Sequence, residues 1–254
     1  MCHCRTKMYA TIDSPLANGP SQIYCRGQGT QILHLHGGWG YEVYPITVDA
    51  VIPDRTGYGR STPIAELPPR FHEAAAIETE RLLDALGITR PVIWGHSDGA
   101  VIAAILGLRD PARYRGIVLE SLHREREKPR SRQFFTDMAE DPTRFGPRVA
   151  AILERDHGAR WQDVLRMGGR AWLSIAASPG DDFFGGRLGE LRVPALLLHG
   201  ADDPRTEPDE LARIRAELPH ARFEIIDGGG HCPHAHPRTS ARVTELVADF
   251  AGSI

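Results

Sequence analysis

Hydrophobic residues along the chain alternate between short continuous runs and longer stretches with helical spacing. The continuous runs predict strands covered on both faces, as in a parallel sheet. They are residues 31–35, 48–52, 91–94, 116–120, 194–199 and 222–226. Helical spacing lies between and after them, over residues 71–86, 99–108, 207–218 and 237–251. This alternation predicts an α/β fold with a mainly parallel, doubly wound sheet.

One long segment interrupts the alternation. Residues 124–192 contain helical patterns but no convincing strand, and they separate the fourth predicted strand from the fifth. A connection of that length is far longer than a normal crossover. We therefore expect a helical lid or cap over 124–192, inserted into a core formed by residues 1–123 and 193–254.

Composition and charge narrow the class of protein. The 254 residues, 41% of them hydrophobic, are enough for one large α/β domain. The net charge of −3 gives no basic excess for nucleic-acid binding, and the basic stretch 123–132 is interpreted as a solvated linker. We find no run of about 18 apolar residues and no N-terminal apolar segment typical of secretion. These features predict a cytoplasmic protein with free thiols and no membrane partner.

Two stretches contain residues that can bind metals. Cys2 and Cys4 flank a histidine, but no second ligand pair follows at a defined spacing. Residues 231–236 contain His231, Cys232, His234 and His236, and we interpret His234 and His236 as loop or pocket-rim residues. We predict no metal site in either stretch.

A serine lies in a G-x-S-x-G pattern between a predicted strand and a predicted buried helix. The pattern is Gly95-His96-Ser97-Asp98-Gly99. Glycines at both ends leave room for a sharp strand-to-helix turn that exposes the serine hydroxyl, and the following helix directs its dipole at the site. In this context Ser97 is predicted to be a nucleophile, and a simple Gly-Ser turn is the alternative.

A serine hydroxyl needs a base, and the base needs an orienting acid. Asp203 follows one predicted strand and His231 lies in the glycine-rich loop after the last one. The chain order serine, aspartate, histidine is the order expected in this architecture, and both residues follow strand ends, where α/β sheets place their sites. We predict a catalytic triad of Ser97, Asp203 and His231, with Asp202 and Glu120 as alternative acids.

The residue after the serine has two predicted roles. The main-chain amide of Asp98 is expected to form an oxyanion hole with a second amide from the loop His36–Gly40, from Gly38 first and Trp39 as the alternative. The Asp98 carboxylate either caps the following helix or faces the pocket and pairs with a substrate ammonium group. Such a pair is strong only when it is desolvated.

Five stretches together resemble the α/β-hydrolase superfamily over most of the chain. They are "HGGWG", "PDRTGYGRS", "GHSDG", "LLLHGADDP" and "GGGHCPHAHP". Asp98 after the nucleophile and "LERDHGARWQDVL" in the predicted lid are similar to the valacyclovir-hydrolase-like branch. The resemblance implies the α/β-hydrolase fold, the triad and oxyanion donors above, and hydrolysis of esters that include amino-acid esters.

The chain departs from the superfamily between the first two predicted strands. His36 and Asp54 are 18 positions apart, which leaves little room for the usual first helix. We expect no full-length helix over 38–48. We also expect the pocket wall near Trp39 and Tyr41 to be open, or filled from a second subunit.

The leading functional hypothesis is a serine hydrolase of small carboxylic esters, thioesters or lactones that needs no metal or organic cofactor. Acyl transfer and carbon–carbon bond hydrolysis use the same triad, and an iminopeptidase would need a lid carboxylate from Glu154, Asp156 or Asp163. A non-enzymatic receptor would often lose a triad residue. Aromatic lid residues, Trp172 among them, are expected to form the lid core or to line the pocket with Trp39 and Asp98. The other lid aromatics are Phe134, Phe135, Trp161, Phe183 and Phe184.

Overall fold

The computed structural model describes residues 8–178, 180 and 182–254. Within them the strands are β1 (Met8–Ser14), β2 (Gly19–Arg26), β3 (Ile32–Leu35), β4 (Ile52–Pro53), β5 (Val92–His96), β6 (Gly116–Glu120), β7 (Ala195–Gly200) and β8 (Arg222–Ile226). The α-helices are α1 (Phe71–Leu86), α2 (Asp98–Arg109), α3 (Arg132–Glu140), α4 (Pro147–His157), α5 (Trp161–Ala176), α6 (Glu210–Glu217) and α7 (Ser240–Ser253).

The strands form two hydrogen-bonded groups that a short bridge joins edge to edge. The first is antiparallel, in the order β1-β2-β4, and the second is parallel, in the order β3-β5-β6-β7-β8. His34 N donates to Val51 O and Val51 N donates to Ile32 O, both at 2.9 Å, which joins β3 to the residue before β4. The mainly parallel, doubly wound sheet predicted from the sequence is therefore confirmed.

Predicted and observed elements agree best where the hydrophobic pattern is strong. Helix α1 has the predicted bounds and ends at Gly87, whose φ of 64° lies in the left-handed region that glycine adopts readily. The strand predicted over 48–52 is reduced to Ile52–Pro53. The sequence reasoning missed the hairpin of β1 and β2, although Asn18-Gly19 at its turn is a recognised hairpin signal.

Three α-helices lie between β6 and β7 in the described residues. In the described part of 124–192 there is no strand of more than one residue, only an isolated bridge between Glu125 and Asp182. Helices α3 and α5 pack closely. A Cβ added to Gly169 of α5 would lie only 2.6 Å from the main-chain nitrogen of Ala139 in α3. We call α3, α4 and α5 the inserted helices.

The connection from β3 to β4 contains turns and no helix, as predicted. However, the expected open wall is wrong, because Trp39 and Tyr41 are only 8% and 2% exposed. Helix α4 of the same chain closes this wall. Asp156 Oδ2 accepts hydrogen bonds from the amides of Tyr41 and Glu42, each at 3.0 Å, and His157 Nε2 donates to Trp39 O at 3.0 Å.

Three expectations from the sequence concern membrane-spanning helices, thiols and metals. None of the helices in the described residues combines the length and hydrophobicity needed to cross a membrane. Cys25 and Cys232 are free thiols, while Cys2 and Cys4 lie outside the described residues. In the part of the chain that the structure covers, no group of three or more histidine, cysteine or acidic side chains is arranged to hold a metal ion.

Candidate active site

Ser97 occupies a strained turn between β5 and α2. Its φ of 56° and ψ of −116° are sparsely populated by residues other than glycine, so the surrounding structure must hold it there. Its amide donates to Glu120 O at 2.9 Å. A Cβ on Gly95 would overlap the carbonyl of Gly99, and a Cβ on Gly99 would overlap the carbonyl of Leu35. Both glycines of the pattern are therefore required by close packing of the backbone.

Ser97, His231 and Asp203 are joined by hydrogen bonds. His231 Nε2 lies 3.0 Å from Ser97 Oγ, and His231 Nδ1 lies 2.9 Å from Asp203 Oδ2. The three residues follow β5, β8 and β7, so the carboxyl ends of three parallel strands bring them together. When Nδ1 donates its proton to the carboxylate, Nε2 is left as the acceptor for the serine hydroxyl.

The protonation states suit proton transfer from Ser97. Burial first, and the positive charge of Arg205 second, lower the pKa of His231 to about 4, although the hydrogen bond and charge of Asp203 oppose them. Burial by itself would raise the pKa of Asp203, but the hydrogen bond and charge of His231 outweigh it and hold this pKa well below its usual range. At neutral pH a neutral imidazole therefore lies between the hydroxyl and a carboxylate.

The alternative acids lie elsewhere. Glu120 Oε1 accepts hydrogen bonds from the amide and Nδ1 of His234, at 3.0 and 2.7 Å, and Glu120 Oε2 accepts one from Trp94 Nε1 at 2.9 Å. Asp202 is exposed. The hypothesis that Glu120 orients the base is therefore wrong, and His234 is a buried partner of Glu120 rather than a pocket-rim residue.

The Asp98 carboxylate is buried at the start of α2, and its partners are side chains of other elements. Its Oδ1 accepts hydrogen bonds from His72 Nε2 at 3.1 Å and Trp172 Nε1 at 3.0 Å, and its Oδ2 lies 3.8 Å from Arg55 Nη2. The Ser97 side chain does not cap α2, and the hydrogen bonds to the Asp98 carboxylate come from His72 and Trp172 rather than from amides of α2, so the capping hypothesis is wrong. Burial tends to raise the pKa of Asp98, but His72, Arg55 and Trp172 together hold it below its ordinary value. The carboxylate is thus ionised and already has partners.

The loop after β3 passes directly beside the serine. A Cβ on Gly37 would lie 3.3 Å from Ser97 Cβ, and one on Gly38 would lie 3.0 Å from Asp98 Oδ2. Arg55 Nη2 donates to Gly37 O at 3.1 Å and fixes this part of the loop. The Asp98 amide is at the first position of α2, where amides have no acceptor within the helix. Both predicted oxyanion segments therefore lie next to Ser97.

A second histidine, which the sequence reasoning missed, contacts the serine. His123 Nε2 lies 3.4 Å from Ser97 Oγ, and burial holds the pKa of His123 well below its ordinary value, so the ring is neutral. His123 lies two residues after Ser121. Ser121 has a φ of 52°, and its Oγ donates a hydrogen bond to His231 O at 2.8 Å. The position of His123 just after a buried strand was the sequence signal for a site residue. The basic residues that follow it favoured the interpretation of this stretch as a solvated linker.

A small cavity lies between Ser97 and the inserted helices. Its volume is about 20 Å³, which is room for about one water molecule. The predicted contacts Trp39, Asp98 and Trp172 line it, together with His123 and Arg205. The inserted helices also supply Phe134, Phe135 and Met138 to its wall.

The proposed iminopeptidase carboxylates lie away from this cavity. Glu154 and Asp163 are exposed, and Asp156 is buried against Arg26, whose Nη2 lies 3.0 Å from Asp156 Oδ1. None of these three is among the residues that line the cavity. The structure therefore offers no carboxylate from the inserted helices to hold a substrate amino terminus at Ser97.

The fold, and the serine turn at the end of β5, are those of one large class of hydrolases. The model of the alpha/beta hydrolase family matches residues 32–243, and the chain belongs to this family. Its relatives include a 2-hydroxy-6-oxononadienedioate/2-hydroxy-6-oxononatrienedioate hydrolase of Cupriavidus pinatubonensis, which is 25% identical over 91% of each chain.

Two further proteins resemble the chain. The serine hydrolase BPHL of Homo sapiens is 24% identical over 78% of this chain and 67% of its own, in agreement with the branch inferred from the sequence. A thermophilic esterase from Thermogutta terrifontis has the same fold, with a TM-score of 0.69, 20% identity, and coverage of 96% of this chain and 99% of its own.

Proposed function

We propose that this protein is a serine hydrolase that cleaves small carboxylic esters through an acyl-enzyme intermediate. The observation that carries the proposal is the hydrogen-bonded chain from Ser97 Oγ through His231 to Asp203, built on a strained turn that exposes the hydroxyl. A neutral buried imidazole next to a hydroxyl and a carboxylate is the arrangement that nucleophilic acyl transfer needs.

The reaction has two halves. In the first, Ser97 Oγ attacks the carbonyl carbon while His231 Nε2 takes the hydroxyl proton, and the tetrahedral intermediate collapses as His231 returns that proton to the leaving alkoxide. In the second, His231 takes a proton from water, the resulting hydroxide attacks the acyl group, and Ser97 leaves with the proton as the acid is released. Asp203 orients the imidazole and stabilises its protonated form.

The negative oxygen of each tetrahedral intermediate needs donors that are already in place. The amides of Asp98 and Gly38 are assigned this role, with Trp39 as the alternative to Gly38. The close packing of Gly37 on Ser97 and the hydrogen bond from Arg55 to Gly37 O support the assignment. Donors that are held in position before the charge develops lower the barrier most.

Residues 124–192 are proposed to act as a lid. The inserted helices supply aromatic side chains to a cavity of about 20 Å³, which is too small for an ester of several carbon atoms. A substrate therefore enters when these helices move away from the loop after β3. Closure would then exclude water from the charged intermediates.

Hydrolysis of a carbon–carbon bond next to a ketone is the second candidate. The Cupriavidus pinatubonensis relative is named for a 6-oxo dicarboxylate substrate, and such a substrate has a ketone at which a nucleophile can act. The same serine, histidine and oxyanion donors serve this reaction. It differs from ester cleavage because a carbon atom, rather than an oxygen atom, must be protonated as it leaves.

A fluorophosphonate probe tests the proposal directly. We expect stoichiometric labelling of the intact protein, and loss of labelling in Ser97→Ala and His231→Ala. A panel of esters, thioesters, lactones and 6-oxo acids then separates the two candidates. Absence of labelling in a folded wild-type protein would reject a serine hydrolase of either kind.

A further inference from the structure

We propose that Arg205 binds a carboxylate of the substrate, so that the preferred substrates of this site are negatively charged. The inference rests on the proposed function and specifies the substrate class of the same site. Nothing in the G-x-S-x-G pattern or in the residues around it requires such a cation.

Arg205 is placed beside the reacting atoms by its position after β7. Its amide donates to Asp203 Oδ1 at 2.9 Å, which ties the residue to the acid of the hydrogen-bonded chain. Its half-buried side chain lines the same cavity as Ser97 and His123, and its guanidinium carbon lies 3.7 Å from the centre of the Phe134 ring.

The charge of Arg205 is not balanced in the way that other buried charges of this protein are. The cavity wall has one other charged side chain, Asp98, and that carboxylate already interacts with His72, Trp172 and Arg55. In the described residues, the guanidinium of Arg205 has no ion-pair partner and no protein hydrogen-bond acceptor. Asp203 is close in sequence, but its oxygens are used by His231 and by the Arg205 amide.

The geometry suits a carboxylate ligand. One face of the planar guanidinium is covered by Phe134, and the N–H groups along its edge have no acceptor among the described residues. That edge matches the two oxygens of a carboxylate in a bidentate pair, and partial burial strengthens the pair. The charge also reaches the catalytic histidine, because Arg205 lowers the pKa of both His231 and His123.

A second role for Arg205 predicts a different result. Stacking on Phe134 links the loop after β7 to α3, and this contact by itself would make Arg205 a connector between the core and the inserted helices. Loss of a connector would slow hydrolysis of charged and neutral esters equally. Loss of a carboxylate site would slow only the charged esters by a large factor.

The test uses two pairs of esters that differ in one carboxylate. Methyl hexanoate and monomethyl adipate place the difference on the acyl side, and phenyl acetate and 4-acetoxybenzoate place it on the leaving-group side. In at least one pair we expect Arg205→Gln to lower the ratio of kcat/KM for the charged over the neutral ester about tenfold or more. Arg205→Lys keeps the positive charge but loses the planar guanidinium that can donate to two oxygens, so it should give an intermediate ratio of kcat/KM. Arg170→Gln, a change at an exposed arginine of α5, should leave the ratio unchanged.

A binding measurement separates this inference from the proposed function. Trp39 and Trp172 line the cavity, so their fluorescence reports binding of adipate without any reaction. We expect adipate, but not 1,6-hexanediol, to bind the wild-type protein and to lose affinity in Arg205→Gln. Adipate binding that depends on Arg205 supports the carboxylate site even if no ester is cleaved. The inference would be overturned if Arg205→Gln left the ratio of kcat/KM unchanged in both ester pairs. It would also be overturned if adipate bound the wild type and Arg205→Gln equally well, or bound neither. In each case, labelling of Ser97 by the fluorophosphonate would still support the proposed hydrolase.

Discussion

The imidazole rings of His123 and His231 stack, with centroids 5.3 Å apart and planes 18° from parallel. Both rings also contact Ser97 Oγ, His231 at 3.0 Å and His123 at 3.4 Å. Ser97 therefore lies beside two histidines that follow different strands. Of the two rings, only that of His231 is hydrogen-bonded to Asp203, so their hydrogen-bond partners differ.

His123 is expected to position the serine and the catalytic imidazole. His123→Ala should lower kcat about ten- to a hundredfold, because small displacements of reacting groups have effects of this size. Ser97 should still be labelled by a fluorophosphonate, at a lower rate than in the wild type, since His231 and Asp203 remain. Steady-state kinetics on a neutral ester measure the effect, with the exposed His220→Ala as the matched control. A kcat equal to that of the wild type would exclude the role.

The pH dependence of hydrolysis follows from the pKa of His231. The neutral imidazole is the active form, and its pKa is lowered to about 4, so kcat/KM should fall as the pH drops through about 4 and stay level toward neutral pH. Arg205→Gln removes a positive charge that disfavours the imidazolium, so the acid limb should move to higher pH. The profile is measured with phenyl acetate. A wild-type limb close to 6.5, the ordinary value for histidine, would contradict the burial argument.

Asp98→Asn should slow aminoacyl and neutral esters by similar factors. The carboxylate holds Trp172, His72 and Arg55 around the cavity, and its charge is already compensated there. We therefore expect a general loss of about tenfold in kcat/KM, the size of one charged hydrogen bond. Parallel assays on a valine ester and its uncharged isovalerate analogue check this. A loss confined to the valine ester would restore the hypothesis that Asp98 binds a substrate amine.

The buried pair of Glu120 and His234 should stabilise the fold over a limited pH range. Burial opposes both charges, but each partner outweighs it for the other, so the pKa of Glu120 is lowered and that of His234 is raised. The contribution of Glu120 to the free energy of unfolding is complete above the pKa of an unfolded glutamate. It is lost as the pH falls through the lower pKa that Glu120 has in the folded protein. The contribution of His234 is complete below the pKa of an unfolded histidine. It is lost as the pH rises through the higher pKa that His234 has in the folded protein. Both are therefore present together between about pH 4.3 and 6.5.

Glu120→Gln tests this pair. Removing one partner of a buried ion pair is expected to reduce the free energy of unfolding by about 3 kcal/mol within that range. The loss of stability below about pH 4.3 and above about pH 6.5 should become less steep. Urea denaturation at several pH values measures both effects. Glu245→Gln, which breaks an exposed pair with Arg242, should change stability by less than about 1 kcal/mol. Equal effects of the two substitutions would show that the buried pair contributes little.

Much of the fold and part of the site follow from local sequence patterns. Continuous apolar runs mark β5, β6 and β7, because strands covered on both faces leave no alternation. The serine turn is readable because its two glycines are required by backbone contacts that any larger residue would break. Asp203 and His231 were found because parallel strands bring their carboxyl ends to one edge of the sheet.

The rest depended on contacts between segments that are distant in the sequence. The absence of a helix over 38–48 was predictable from the spacing, but its consequence was not, because α4 supplies Asp156 and His157 to hold that loop. The partners of Asp98 come from α1, α5 and the loop after β4, and no local pattern identifies them.

The sequence by itself therefore determined the class of fold and the order of the serine, aspartate and histidine. The tertiary structure decided which charges around Ser97 are compensated and which are not. Asp98 is compensated by residues far along the chain, while Arg205 is stacked on Phe134. Charge balance in a buried site depends on distances of a few ångströms between such residues, and those distances exist only once the chain has folded.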